Sequence, residues 1–311
     1  MNRDGDRLNA HHPGENPQLI AMGNRVFATW TALGPNERRG GTLAIALSDD
    51  GGATWRPGAV PFGGQKGAQT FPKMVASGSI AHMVWLDSRG GSQGLRYARS
   101  LDGGSSWADD RPLAPRTCDC CWNSVAAAPD GSVSALYRGH DPRDMMHIGS
   151  RDGKAWRNTG SVGGFDWRVQ ACPHVGGALV RDGAMLHALV WTGREGAWGL
   201  FHATSRDAGN SWSAPRRLGT EDARNADLAR SPDGTLVAIW DEPGTGETAI
   251  RIARSSDAGV SWQQAERLPA ARNATNPRVT ATSRGTTTVW LEGAPYAGAV
   301  LKVNGAPLAT P

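Results

Sequence analysis

The sequence predicts an all-β fold, a six-bladed β-propeller. Two repeats predict it: a short turn motif that returns at roughly 50-residue spacing, and an apolar run ending in an aromatic residue that returns six times. Composition agrees. With Gly 41 and Pro 19 in 311 residues, and brief apolar runs between turn residues, the chain reads as many short strands.

The aromatic series is Trp30, Trp85, Tyr137, Trp191, Trp240 and Trp290, each closing a run such as Val26-Phe27-Ala28-Thr29-Trp30 or Leu236-Val237-Ala238-Ile239-Trp240. Each run reads as the second strand of a four-stranded blade. The inner strand before it falls at residues 17–21, 72–75, 123–127, 174–180, 227–229 and 277–280 in turn. Radial repetition of such sheets leaves only short, protected edges. The sixth blade has no copy of the turn motif, so residues 1–12 are expected to form a tail whose segment 7–10 closes that blade, with the propeller proper at 13–311.

The turn motif reads Ser48-Asp49-Asp50-Gly51-Gly52-Ala53-Thr54-Trp55, Ser100-Leu101-Asp102-Gly103-Gly104-Ser105-Ser106-Trp107, Ser205-Arg206-Asp207-Ala208-Gly209-Asn210-Ser211-Trp212 and Ser255-Ser256-Asp257-Ala258-Gly259-Val260-Ser261-Trp262. A fifth copy, Ser150 to Trp156, is one residue short. Its residue types are those of a tight hairpin. The Asp carboxylate accepts backbone N–H groups, Gly supplies positive φ, and Trp is expected to be buried against its blade. This motif is similar to the Asp-box, or BNR repeat, of the sialidase-like superfamily, and the resemblance covers nearly the whole chain. It implies a propeller whose Asp-boxes are structural.

Strands of a blade alternate in direction, so the Asp-box turns occupy one end and the loops after each second strand the other. That second end gathers the reactive side chains: Asp87-Ser88-Arg89, Arg138-Gly139-His140-Asp141-Pro142-Arg143-Asp144, Arg194-Glu195, Asp241-Glu242 and Glu292 to Tyr296. Ligands are expected there. Arg138, His140, Asp141, Arg143 and Arg194 are candidate ligand-binding residues for a small molecule or glycan.

The resemblance to sialidases implies an arginine triad for a carboxylate, an Asp acid/base and a Tyr nucleophile paired with Glu. Candidates for these roles are Asp87, Glu292, Tyr296 and Arg278. The first inner strand departs from the family, reading Asn16-Pro17-Gln18-Leu19 where a sialidase carries Arg-Ile-Pro. Sialic acid cleavage is therefore not expected.

The most specific feature is Cys118-Asp119-Cys120-Cys121, joined by Cys172-Pro173-His174 at the entrance to the next inner strand. It is similar to bacterial Asp-box proteins that carry a Cys-x-Cys-Cys stretch and a later Cys-Pro motif; the resemblance specifies no reaction. Two physical readings stand. Either the cysteines pair as disulfides, or Cys118, Cys120, Cys121, Cys172 and His174 hold a soft or borderline ion, copper or zinc. In both, Cys121, Cys172 and His174 are expected to lie close together.

The resulting expectation is a propeller binding a metal ion or small polar ligand through a Cys/His cluster, with a glycoside hydrolase or a non-catalytic carbohydrate- or protein-binding module as alternatives. A net charge of +4 spread along the chain gives no basic block for nucleic acid. No run approaches the ~18 apolar residues of a membrane span. A monomer in the periplasm or outside the cell is the expected setting.

Overall fold

The computed structural model describes residues 7–8, 14–33, 40–62, 67–269, 271, 273–293 and 300–306. Every regular element among them is a strand, and the strands form the six sheets of a β-propeller. The first sheet holds β1 (Arg7–Leu8), β2 (Gln18–Met22), β3 (Arg25–Leu33), β4 (Thr42–Ser48) and β5 (Arg56–Pro57). The second runs β6 (Gln69–Ser77), β7 (Ile80–Asp87), β8 (Gly94–Ser100), β9 (Ala108–Ala114), and the third β10 (Ser124–Ala127), β11 (Val133–Arg138), β12 (Met145–Ser150), β13 (Trp156–Ser161). The fourth is β14 (Ala178–Asp182), β15 (Met185–Thr192), β16 (Gly199–Ser205), β17 (Arg216–Leu218). The fifth is β18 (Arg224–Arg230), β19 (Leu236–Pro243), β20 (Thr248–Ser255), β21 (Glu266–Arg267), and the sixth β22 (Ala274–Thr282), β23 (Gly285–Glu292), β24 (Val300–Ala306). No helix long and apolar enough to cross a membrane occurs among the described residues.

Contacts divide the chain into two compact units. One comprises Met1–Asp141, Met146–Gly160 and Gln170–His174, the other Pro142–Met145, Ser161–Val169 and Val175–Pro311. In the first, Phe27, Leu47, Met74, Met83 and Trp85 form a core shared by neighbouring sheets; in the second, Leu189, Leu200, Leu228, Leu236 and Trp240 do the same. The second strand of each of the first five blades is covered on both faces, which is why it reads as a largely apolar run. The outer edges of the first and fifth sheets are short and charged, at Arg56-Pro57 and Glu266-Arg267, where unpaired backbone would otherwise invite further pairing.

The repeated turn has the geometry its residues require. Asp50 accepts Thr54 N at 2.8 Å while Ser48 Oγ accepts Gly52 N at 2.8 Å, and Asp102, Asp207 and Asp257 repeat the pattern with Ser106, Ser211 and Ser261. The hydroxyls of Thr54, Ser106, Ser211 and Ser261 also donate to these carboxylates, and with the backbone N–H of the same residues they hold each exposed carboxyl at about 2. The position after the Asp is left-handed in every full copy. Gly51 and Gly103 fill it in two blades, Ala208 (φ 56) and Ala258 (φ 55) in the others. The tryptophans Trp55, Trp107, Trp156, Trp212 and Trp262 are half-buried and not fully covered.

Two expectations change. Arg7 and Leu8 pair with Leu33 and Ala32 of β3, so this segment extends the first blade and not the sixth, whose third strand is β24. The fourth inner strand begins at Ala178, leaving Cys172 and His174 in the strand-free stretch after β13. Inner strands β6, β18 and β22 each carry a bulge, with Phe71, Asn225 and Asn276 at positive φ.

Candidate metal centre

β11 ends at Arg138, a side chain only 1% exposed. Beside it, Thr117 pairs with Gly139, Cys118 N donates to Arg138 O at 3.0 Å, and Thr117 N donates to Gln93 O at 2.8 Å. The backbone at 117–118 is thereby pinned, and the turn at Asp119 and Cys120 brings Cys120 back beside Cys118, Sγ to Sγ 3.8 Å. The Sγ atoms of Cys118, Cys120 and Cys172 all lie within 4.8 Å of one another. Cys118 and Cys120 are buried and Cys172 is exposed; all four cysteines are free thiols.

One sulfur of the group is set apart electrostatically. Hydrogen bonds from Cys120 and Cys121, with help from the Arg138 charge, draw the Cys118 thiol well below the ordinary thiol range despite burial. The donating Cys120 is pushed up by those same bonds, and burial pushes Cys121 up. These directions make Cys118 the sulfur of the three that ionises most readily.

The spacing suits a metal. Sulfurs about 2.3 Å from a common ion, with angles near 110–120°, stand about 3.8–4.0 Å apart, and the Cys118–Cys120 separation of 3.8 Å matches. Three sulfur donors select soft or borderline ions. Cys121 and His174 lie outside the group whose donor atoms come together. His174 is exposed with φ 54, half-buried His140 and exposed Asp141 follow β11, and neither joins that group.

Arg143 and Arg194 belong to the second unit. Arg143 is buried and its N–H donates to Trp167 O at 2.7 Å, while the exposed Arg194 reaches the carbonyl of Phe165. Neighbouring Asp144 accepts Ser161 Oγ at 2.7 Å and Asp166 N at 2.8 Å, tying the strand-free stretch to β12.

The candidate acids have structural neighbours. Asp87, 3% exposed, accepts Trp85 Nε1 at 2.8 Å, Arg89 N at 2.8 Å and Arg89 Nη2 at 2.7 Å. Burial alone would raise its pKa, but the bonds from Arg89 and Trp85 prevail and hold it below the ordinary carboxyl range. A group held ionised in this way is a poor general acid. Glu292 accepts Trp290 Nε1 at 3.1 Å, and Glu242 accepts Trp240 Nε1 at 2.9 Å. Asp87, Glu242 and Glu292 are thus equivalent members of a Trp-x-acid repeat, which the sequence displays in three blades. Arg278, half-buried, donates to Pro277 O at 2.7 Å and faces Asp227 and Asp241. Tyr296 lies outside the described residues.

Two carboxyls that sequence reasoning did not select are the most perturbed. Burial raises Glu15 to about 7, although it accepts Thr31 Oγ1 at 2.6 Å and Phe71 N at 3.1 Å. Burial likewise raises Asp241 to about 6, beside Asn225 Nδ2 and Asn276 N, both at 2.8 Å. Both carboxyls cap the bulged inner strand of the following blade.

No family model and no curated protein matches the sequence. Solved structures do match the fold. A Hadza microbial sialidase is 17% identical with a TM-score of 0.60, the match covering 98% of this chain and 66% of that one. A protein of unknown function from Dyadobacter fermentans is 16% identical, TM-score 0.64, with 96% and 98% covered. An α-L-arabinofuranosidase from Fusarium graminearum is 13% identical, TM-score 0.61, with 94% and 92% covered. At these identities the likeness is one of fold.

Proposed function

We propose that this chain is a sialidase-like propeller that binds one thiophilic ion, copper(I) or zinc, through Cys118, Cys120 and Cys172. The observation that carries the reading is the convergence of three Sγ atoms within 4.8 Å, two buried and one open to solvent. Arg138 offsets part of the thiolate charge, and Cys172 gives the ion its way in. An ion so placed would supply a Lewis-acidic or soft-donor centre. The test is metal content of protein purified without chelator, followed by titration of reduced protein with Zn²⁺ and with Cu⁺ under anaerobic conditions. About one equivalent should bind, and Cys118→Ser or Cys172→Ser should abolish it while Cys121→Ser keeps it. Absence of stoichiometric uptake by the reduced wild type overturns the reading.

A carbohydrate ligand is a second reading, favoured by one surface feature of the fourth blade. Trp198 is 45% exposed at the loop between β15 and β16; it meets Trp191 edge-on at 5.8 Å, and Trp191 meets Trp167 at 5.4 Å. An exposed indole held edge-on by Trp191, on the loop that also carries Arg194 and Glu195, suits the face of a sugar ring. The sialidase and arabinofuranosidase among the structural neighbours act in the same ligand class by name. Binding on a glycan panel that is lost in Trp198→Ala supports this reading, and a blank panel removes it.

A further inference from the structure

We propose that the sulfur cluster is also a redox gate: a hydroperoxide oxidises Cys172, Cys172 cross-links to the Cys118–Cys120 pair, and the bound ion is released. The gate rests on the ion-binding reading above and adds its regulation.

Three features of the cluster point to this. Access is unequal, since Cys118, Cys120 and Cys121 are 1%, 5% and 1% exposed while Cys172 is open to solvent. A soluble oxidant therefore meets Cys172 first. Distance is short: its Sγ lies within 4.8 Å of both partners, and a disulfide needs about 2.05 Å. The two sides also differ in restraint. Cys118 is fixed by its bond to Arg138 O and by the Thr117 bond to Gln93 O, whereas Cys172 sits in the strand-free stretch between β13 and β14. Closure is thus a shift of the Cys172 segment toward a fixed pair.

The chemistry balances with hydrogen peroxide as the oxidant. The Cys172 sulfur attacks one peroxide oxygen, the O–O bond breaks, and hydroxide leaves and takes up a proton to become water. Cys172 is now a sulfenic acid. A thiolate of the fixed pair then attacks that sulfur and displaces a second hydroxide, which is protonated in turn. Two thiols and one peroxide become one disulfide and two waters. A zinc ion keeps its oxidation state but loses two of its three sulfur ligands. One remaining thiol cannot hold it.

The experiment has two arms, with zinc as the probe because it takes no part in the electron transfer. In the first, reduced metal-free protein receives one equivalent of hydrogen peroxide, its remaining thiols are alkylated, and it is then digested with trypsin. The expected product joins the peptide of residues 117–138 to that of residues 169–181. In the second, zinc-loaded protein receives the same oxidant beside a chromogenic zinc chelator, and about one zinc should appear per cross-link formed. Cys172→Ser, an exposed substitution, should leave no cross-link and slow peroxide consumption by roughly tenfold or more. Cys172 found as sulfinic acid, or bridging two copies of the chain, overturns the gate. So does zinc that stays bound to cross-linked protein. A protein that cross-links in the first arm yet never binds zinc overturns the ion-binding reading, and release falls with it.

Discussion

Replacing Asp87 by Ala separates a structural acid from a reactive one. In the fold this carboxylate accepts the Trp85 indole N–H and three N–H groups of Arg89, in surroundings where Trp85 is fully buried and the Arg89 side chain is 11% exposed. Removing one partner of a buried ion pair costs about 3–5 kcal/mol. Arg89 keeps Asp110 at 2.7 Å, which puts the expected loss at the lower end of that range. The orphaned indole adds about 1 kcal/mol, for a total of about 4 kcal/mol. Urea unfolding should show the midpoint falling with the slope unchanged. The double change Asp87→Leu with Arg89→Met removes both charges and should recover part of the loss, since Asp110 retains Arg96 at 2.7 Å. A loss under about 0.5 kcal/mol in Asp87→Ala would show that the pair is not holding the blade, and the catalytic reading of this residue would regain its standing.

The repeated turns make a second prediction: Ala208→Gly and Ala258→Gly should each stabilise by about 0.5 kcal/mol, because relief of left-handed strain exceeds the added chain entropy. Thermal melts read this, and a destabilised variant refutes it. Acid stability should follow the buried stacked pair His187 and His202, which burial holds down to about 4 and about 3. Their contribution is complete above the unfolded value of about 6.5 and is lost as pH falls toward those folded values. His202→Phe should therefore flatten the melting profile between pH 7 and 4, and an unchanged slope refutes the assignment. Glu15 has the opposite sign. Raised to about 7 in the fold, it contributes stability that is present below the unfolded carboxyl value and lost as pH rises through 7. Glu15→Gln keeps the acceptor for Thr31 and Phe71, so it should be more stable than wild type at pH 8; equal melting temperatures there would sink the claim. A fluorogenic sialoside should not be turned over, because residues 16–19 carry no arginine for the substrate carboxylate; turnover abolished by Tyr296→Phe would overturn this.

What the sequence made legible was whatever the blades repeat. Trp85, Trp240 and their counterparts mark second strands, and Asp50 to Trp55 marks a turn, because each copy must solve the same packing problem. Repetition also held information that position alone concealed. Residues i and i+2 of a strand share a face, so an acid two places after the Trp stands beside its indole N–H; Asp87 and Glu292 fall there with Glu242. The sulfur cluster was legible in content but not in membership. Inner strands that begin side by side suggested Cys121 with Cys172 and His174, whereas the three sulfurs that converge are those of Cys118, Cys120 and Cys172, with Cys121 buried and hydrogen-bonded with Cys118 and Cys120. Glu15 gave no local signal, and Asp241 appeared only as one member of a charged loop. Their perturbation comes from capping bulges at Phe71 and Asn276, partners 56 and 35 residues away, and no local pattern in the sequence encodes a backbone N–H turned inward by a positive φ. The place of Arg7 and Leu8 was hidden because their pairing with β3 is made by main-chain N–H and C=O groups that nearly every residue carries.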